Sequence, residues 1–528
     1  MLRQWIGIGY VLCSLLAACA SAPSVTPAPT RTPRPIVSLV SSLTPVPTIT
    51  PTTSPAPDPF CAADFVVPDG QGGLMCQRTG VPYKFIGVNT RELAYLAEQN
   101  PRLDRSDVYR VDLTGVNPGI LQTQLETASR MGAKVVRLFA PRFYDANSAI
   151  HTLDDILAAN DKVLAIARLL EAHQRIEALK FILVFTDFYA APPSFSVYNL
   201  HCPGYSANDF GDPFCTLMPG EPPHLKPDWF ITGYAQPTFQ AGSYRQYVET
   251  LIKHYSAPIS VTLPATSIQI VPQQILSWEL GNELKVDDPR QAVSIMQGFV
   301  RDVACFVHQV DRYPRLVAPG FASTFHATNG QGHDPSALYD LRCADGRAVF
   351  DLGTIHVYNN QWWLPREVIV PHNERNFGDR LDQYVDYRWF QAHQLPYIVE
   401  ELGFTGGNRT QPGDRCVDNS YTNGDSIWSG DVAHHDGARG EGSGVDIALP
   451  ATGQTRGPAV AAVLDRFFAL DASGVLPWAF QAGSIDLGAH DACRGLDPIY
   501  HTDWADLFKA YCEQARQLDG RPLTCQPL

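Results

Sequence analysis

The chain has 528 residues, long enough for one large catalytic domain with appendages and for a substantial buried core. Hydrophobic residues make up 45% and charged residues 18%, so the bulk is globular, and no interior stretch approaches the roughly 20 apolar residues of a membrane span. Forty Lys and Arg against 54 Asp and Glu leave a net charge of −14, which repels phosphate backbones and anionic headgroups and argues against nucleic acid as a partner.

The N-terminus carries Arg3, an apolar run from Trp5 to Leu16, and then Ala17, Ala18 and Cys19, the pattern of a secretory signal too short to cross a bilayer. Leu16-Ala17-Ala18-Cys19 resembles the lipobox of bacterial lipoproteins, which implies cleavage before Cys19 and lipidation of that cysteine. Acyl chains contribute about 0.8 kcal/mol per buried CH2, so a multiply acylated Cys19 makes a durable anchor. The expectation is an exported protein, held on a membrane by lipid alone and facing the cell exterior or periplasm.

From Ser21 to Pro59, 25 of 39 residues are Pro, Ser or Thr, a composition that cannot bury enough apolar surface to offset its ordering entropy. As a polyproline-like tether at about 3.1 Å per residue it reaches roughly 120 Å. The chain thus divides into a signal (1–18), a lipidated cysteine with its tether (19–59) and a catalytic domain (60–528). Of twelve cysteines, Cys13 leaves with the signal and Cys19 takes the lipid, and the remaining ten can pair. Cys61 with Cys76, Cys202 with Cys215, and Cys512 with Cys525 are neighbours in sequence; Cys305 with Cys343 and Cys416 with Cys493 follow by elimination. No CxxC pair suggests zinc.

Beyond Phe60, a hairpin over Cys61 to Lys84, with turn residues Pro68-Asp69-Gly70, is expected to plug one end of the catalytic domain. Eight short apolar runs then alternate with amphipathic stretches: Phe85 to Asn89, Val135 to Leu138, Phe181 to Phe185, Ile275 to Leu280, Arg315 to Ala318, Leu352 to His356, Tyr397 to Glu401, and Val475 to Phe480. Such alternation is the mark of βα units on a parallel sheet, and eight units predict an α/β fold, the closed (β/α)8 TIM barrel. Helical spacing appears at Leu121, Leu125 and Ala128 with Gly132 as a stop, at Tyr244, Tyr247, Val248, Leu251 and Ile252, and at Ile295, Phe299, Val303, Phe306 and Val307. Two long aperiodic segments, Tyr189 to Trp229 and Thr405 to Pro458, come after strands three and seven, where active-site walls grow in this architecture.

The fourth run ends in Trp278-Glu279-Leu280-Gly281-Asn282-Glu283 and the seventh in Ile398-Val399-Glu400-Glu401-Leu402-Gly403, which places carboxylates at the barrel mouth. Two carboxylates about 5 to 5.5 Å apart are what retaining glycoside hydrolysis needs, one to protonate the leaving oxygen and one to attack the anomeric carbon. In these motifs the chain resembles glycoside hydrolase family 5, most closely its endo-β-1,4-mannanase branch, over about Phe60 to Phe508.

The resemblance implies specific roles. Asn-Glu makes Glu283 the acid/base and Asn282 the side chain that holds the sugar's 2-hydroxyl. Glu-x-Gly makes Glu401 the nucleophile. Alternation of side chains along a strand then turns Glu400 toward the helices, into an ion pair. Arg137 matches the family's strand-two arginine beside the nucleophile, and Thr354-Ile355-His356-Val357-Tyr358 its His-x-Tyr motif, with Tyr358 touching the nucleophile and His356 near the acid/base. Trp478 falls at the aromatic platform under the reacting sugar, Trp362 and Trp363 near the mannanase aromatic past strand six, and Asn89 at the strand-one asparagine that contacts substrate.

The implied activity is double displacement on a β-1,4-linked polysaccharide, most closely mannan, by a monomer with no cofactor or metal. Mannanases continue Asn-Glu-Pro-Arg where this chain has Leu284-Lys285, and lysine lacks the planar fork of arginine. A β-glucanase or cellulase of the same family, or a polysaccharide-binding lipoprotein without catalysis, are the alternative readings. Asp425, Asp431, His434, His435 and Asp436 lie among glycines in the second long segment and read as a solvated polar loop rather than a calcium site.

Overall fold

The computed structural model describes residues 58–90, 93–98, 119–139, 153–187, 215–216, 224–236, 243–264, 266–332, 334–358, 382–403, 457–478, 480 and 504–526. The chain divides into two units, Met1–Pro55 and Ala56–Leu528, and every described residue belongs to the second. Cys19, the tether up to Pro57, Trp362, Trp363, the polar loop with Asp425 to Asp436, and the pairings Cys202–Cys215 and Cys416–Cys493 rest on residues outside the described ones.

Eight parallel strands form the central sheet: β1 (Phe85–Thr90), β2 (Val135–Phe139), β3 (Lys180–Val184), β4 (Ile275–Glu279), β5 (Leu316–Ala318), β6 (Gly353–Tyr358), β7 (Tyr397–Gly403) and β8 (Gly474–Pro477). Their order is β5-β4-β3-β2-β1-β8-β7-β6, a consecutive circuit as a (β/α)8 barrel requires. The seam between β5 and β6 is bridged by single bonds. Asp351 N–H donates to the Val317 carbonyl (2.9 Å), His356 N–H donates to that of Ala322 (3.1 Å), and the Thr354 hydroxyl accepts from Phe321 N–H (2.9 Å).

Period-two alternation sorts the strand side chains into two layers. Phe85, Val135, Ile182, Leu276, Leu316 and Leu476 fill the barrel interior, while Ile86, Val136, Leu183, Val317, Val399 and Val475 face the helices. Helix α1 (Ile120–Arg130) buries Leu121, Leu125 and Ala128, and Gly132 just beyond it has φ +85°, the left-handed stop that the sequence marks. Helix α2 (Tyr244–His254) opens on a capping box of Ser243 with Gln246 and buries Tyr244, Tyr247, Val248, Leu251 and Ile252. Helix α3 (Ala292–Val310) buries Phe299, Val303 and Val307. No described helix is long and apolar enough to cross a membrane. Within the first long segment, Cys215–Thr216 pairs antiparallel with His224–Leu225 and a short helix at Pro227–Ile231 buries Trp229.

The N-terminal hairpin pairs Val66–Pro68 with Leu74–Cys76 and packs Val66, Leu74 and Tyr83 into the interior layer, closing the end opposite the mouth. The Cys61–Cys76 disulfide fastens it, and Lys180 Nζ donates to the carbonyls of Cys61 (2.6 Å), Asp64 (2.7 Å) and Gln273 (2.7 Å). Disulfides also join Cys305 to Cys343, the pairing expected by elimination, and Cys512 to Cys525, the pairing expected from proximity in sequence.

Candidate active site

At the C-terminal ends of the strands the interior layer changes from apolar to ionic. Arg137, on β2, is fully buried and spends every guanidinium hydrogen. Nε donates to Glu279 Oε2 (2.8 Å), and Nη2 to Glu279 Oε1 (2.5 Å) and Asn282 Oδ1 (2.8 Å). Nη1 donates to Glu401 Oε1 (2.8 Å) and Asn89 Oδ1 (3.1 Å). Arg137 therefore ties β1, β4 and β7 together around the carboxylate expected to act as nucleophile.

Past β4 the chain stays tethered on both sides: Asn282 N–H donates to the Thr186 carbonyl (2.7 Å) and Glu283 N–H to that of Gly320 (2.8 Å). Glu283 has φ +49°, a left-handed conformation that costs a non-glycine residue about 1 to 3 kcal/mol. Strain of that kind collects where a side chain must be aimed, and here Glu283 Oε1 lies 2.7 Å from His356 Nδ1. Gly320 makes room for the loop. Its own φ is +73°, and a Cβ there would lie 2.3 Å from both Glu279 Oε1 and the Gly281 carbonyl.

His356 is fully buried and bridges the two expected catalytic groups: Nδ1 is 2.7 Å from Glu283 Oε1 and 3.3 Å from Glu401 Oε2, while Nε2 is 3.4 Å from Glu400 Oε2. Burial works against its charge, but Glu401 and the hydrogen bonds to Glu283 and Glu400 outweigh it and raise the imidazole to about 10. At neutral pH it is an imidazolium that donates from both nitrogens. Glu283, His356 and Glu401 each bring one ligand-type atom to within 4.8 Å of the others. With His356 held as an imidazolium between them, the three groups can exchange protons.

Glu400 departs from the sequence expectation. Period-two alternation turns it toward the helices; instead it is fully buried on the same side as Glu401, 3.5 Å from Arg137 Nε and 3.4 Å from His356 Nε2. The cause is a bulge: Ile355 pairs with Val399 but His356 pairs with Glu401, which leaves Glu400 as the extra residue of β7. Two consecutive side chains can then reach the interior. The ion pair expected of Glu400 is present, but inside the barrel.

Glu279 is a functional residue to which the sequence alone assigns no role. It is fully buried, and burial pushes it up to about 8 against the pull of Arg137, with the nearby Glu400 charge adding to the rise. For Glu400, burial also raises the carboxyl, but Arg137 and His356 together hold it below its usual range. The two carboxyls share Arg137 as a cation, and their opposite shifts mark Glu279 as the one of the two that more readily keeps a proton. The available signal was Trp278: an outward tryptophan on β4 puts its successor inward.

Asn89 is also used differently from the expectation of a substrate contact. Nδ2 donates to the carbonyls of Glu400 (2.7 Å) and Pro477 (3.1 Å), and Oδ1 accepts from Arg137. With both amide hydrogens spent, it is a strut between β1, β7 and β8. Trp478 comes directly after β8, with its ring 5.7 Å from that of Phe139 and only 4% exposed. Tyr358 ends β6, in the strand position expected, and its side chain is outside the described residues.

No protein-family model and no curated protein sequence matches the chain. Among solved structures, the fold is similar to an endo-1,4-β-mannanase from Rhizomucor miehei, with 14% identity and a TM-score of 0.49 over 86% of this chain and 99% of that one. An endo-β-1,4-mannanase from Thermotoga petrophila gives 15% identity and a TM-score of 0.47 over 84% of this chain and 78% of that one. An exo-β-1,4-mannosidase from an Opitutaceae bacterium gives 13% identity and a TM-score of 0.45 over 86% and 63%.

Proposed function

We propose that the protein is a retaining glycoside hydrolase that cleaves a β-1,4-linked polysaccharide, with mannan as its substrate. One observation carries the reading. Carboxylate oxygens of Glu283 and Glu401 come within 4.8 Å of one another at the barrel mouth. That closeness favours double displacement, which needs carboxyls roughly 5 to 5.5 Å apart, over inversion, which sets them about 6.5 to 9.5 Å apart to hold a water between.

In the first step a Glu401 oxygen attacks the anomeric carbon while Glu283 gives its proton to the departing glycosidic oxygen. The C–O bond breaks and a glycosyl ester on Glu401 forms. In the second, Glu283 takes a proton from water, whose oxygen displaces Glu401 and regenerates both groups. Arg137 supports this assignment because it holds Glu401 by a charge-assisted bond while Glu279 anchors its other edge.

The choice of mannan rests on the motif resemblance of strands four, six and seven. Disulfides at Cys61–Cys76, Cys305–Cys343 and Cys512–Cys525 support an oxidising, extracytoplasmic compartment, in keeping with lipidation at Cys19. The test is reducing-sugar release on glucomannan, linear mannan, carboxymethyl cellulose, barley glucan and xylan, beside the Glu401→Ala variant. Release from mannans by the parent alone is the expected result. Release only from glucans would move the substrate, and equal release by both proteins would overturn the mechanism.

A further inference from the structure

Asp187 lies just past β3 and plays no part in the two chemical steps. It is 3% exposed, and its backbone forms a parallel bridge with Asn282, prolonging the β3–β4 ladder into the mouth. Gly281 permits the approach, since a Cβ there would meet Thr186 Cγ2 at 2.6 Å. Across this pair Asn282 Nδ2 donates to Asp187 Oδ1 at 3.1 Å, while Asn282 Oδ1 accepts from Arg137 Nη2 at 2.8 Å.

An asparagine amide can usually be turned over without penalty to its shape, but not here. Arg137 has only donors and an ionised Asp187 only acceptors, so a single orientation satisfies both. The second Nδ2 hydrogen has no acceptor among the described residues and is left for a ligand.

We propose that Asp187 is a positioning residue: it locks the Asn282 amide so that this remaining N–H meets the 2-hydroxyl of the reacting sugar. The inference deepens the hydrolase reading and rests on it. The 2-hydroxyl accepts a hydrogen bond from Asn282, and without Asp187 the amide is held by Arg137 at its oxygen alone, so its plane can turn about that bond and carry the remaining N–H off the hydroxyl. Misplacing a group in contact with the reacting sugar costs up to about a hundredfold in rate.

The test compares 2,4-dinitrophenyl β-mannobioside with its analogue lacking the 2-hydroxyl on the reacting sugar. Asp187→Ala is expected to lower kcat/KM about 10- to 100-fold on the first and less than about threefold on the second. Asp187→Asn, which keeps an acceptor oxygen and the same shape, restores most of the loss. The double variant Asp187→Ala/Asn282→Ala is no worse than Asn282→Ala alone. A loss at Asp187→Ala that is equal on both substrates, or that multiplies with the loss at Asn282→Ala, would show a merely structural role and overturn the proposal. If Asn282→Ala discriminates between the substrates while Asp187→Ala does not, the positioning role fails and the hydrolase reading stands. If the parent protein hydrolyses neither substrate, both fall together.

Discussion

Replacing Arg137 probes the buried network at its centre. Arg137→Met deletes two hydrogen bonds to Glu279, one to Glu401 and two to the amides of Asn89 and Asn282, all between buried side chains. Removing one partner of a buried ion pair costs about 3 to 5 kcal/mol because the other charge stays behind. For the chemical step, a hydrogen bond to a charged group is worth about 1.5 to 3 kcal/mol, so loss of the Glu401 contact slows glycosylation roughly 10- to 150-fold. Arg137→Lys keeps the charge at one point and cannot reach three elements at once, so it falls between parent and Met in both properties. Urea unfolding followed by tryptophan fluorescence reads the first effect, and the pre-steady-state release of dinitrophenol from an activated glycoside reads the second. An Arg137→Met protein that unfolds at the parent's midpoint and releases dinitrophenol at the parent's rate would refute the account of the network.

Single contacts give further expectations. Glu283→Gln should lose about 10²- to 10⁴-fold on polysaccharide, yet far less in the first step on a dinitrophenyl glycoside, whose leaving group needs no proton; equal losses on both would remove Glu283 as the acid. Gly320→Ala adds a Cβ at φ +73° beside Glu279 and the Gly281 carbonyl, so the melting temperature and the activity should drop together. His356, raised from 6.5 to about 10, binds its proton more tightly in the folded state. Its contribution to stability is therefore complete below about pH 6.5 and is lost as pH rises through 10. The stability gap between parent and His356→Asn should shrink over that window, and a gap that widens would reverse the sign of the argument.

Much of the barrel is legible in the sequence because each strand carries apolar side chains for two layers, and runs such as Val135 to Leu138 or Ile275 to Leu280 stand out from their polar flanks. Glu283, Glu401, Arg137 and His356 converge as their motif positions imply, since strand ends share one rim. Alternation failed at Glu400, because a bulge is decided by how β7 meets β6 and β8 rather than by the local pattern. Asn89 kept its place but not its expected role, for whether an amide hydrogen remains free depends on carbonyls 311 and 388 residues away in sequence. Glu279 and Asp187 are missed for a related reason: their importance lies in which partners of Arg137 and Asn282 they complete, and that saturation is a property of the assembled rim.

The central claim is that Glu401 becomes covalently glycosylated. Incubation with 2,4-dinitrophenyl 2-deoxy-2-fluoro-β-mannobioside, then intact-protein and peptide mass spectrometry, tests it directly. The account predicts one fluoroglycosyl group per chain, on the peptide that holds Glu401, with dinitrophenol released in equal amount. Turnover with no adduct, or an adduct on any other residue, would contradict it.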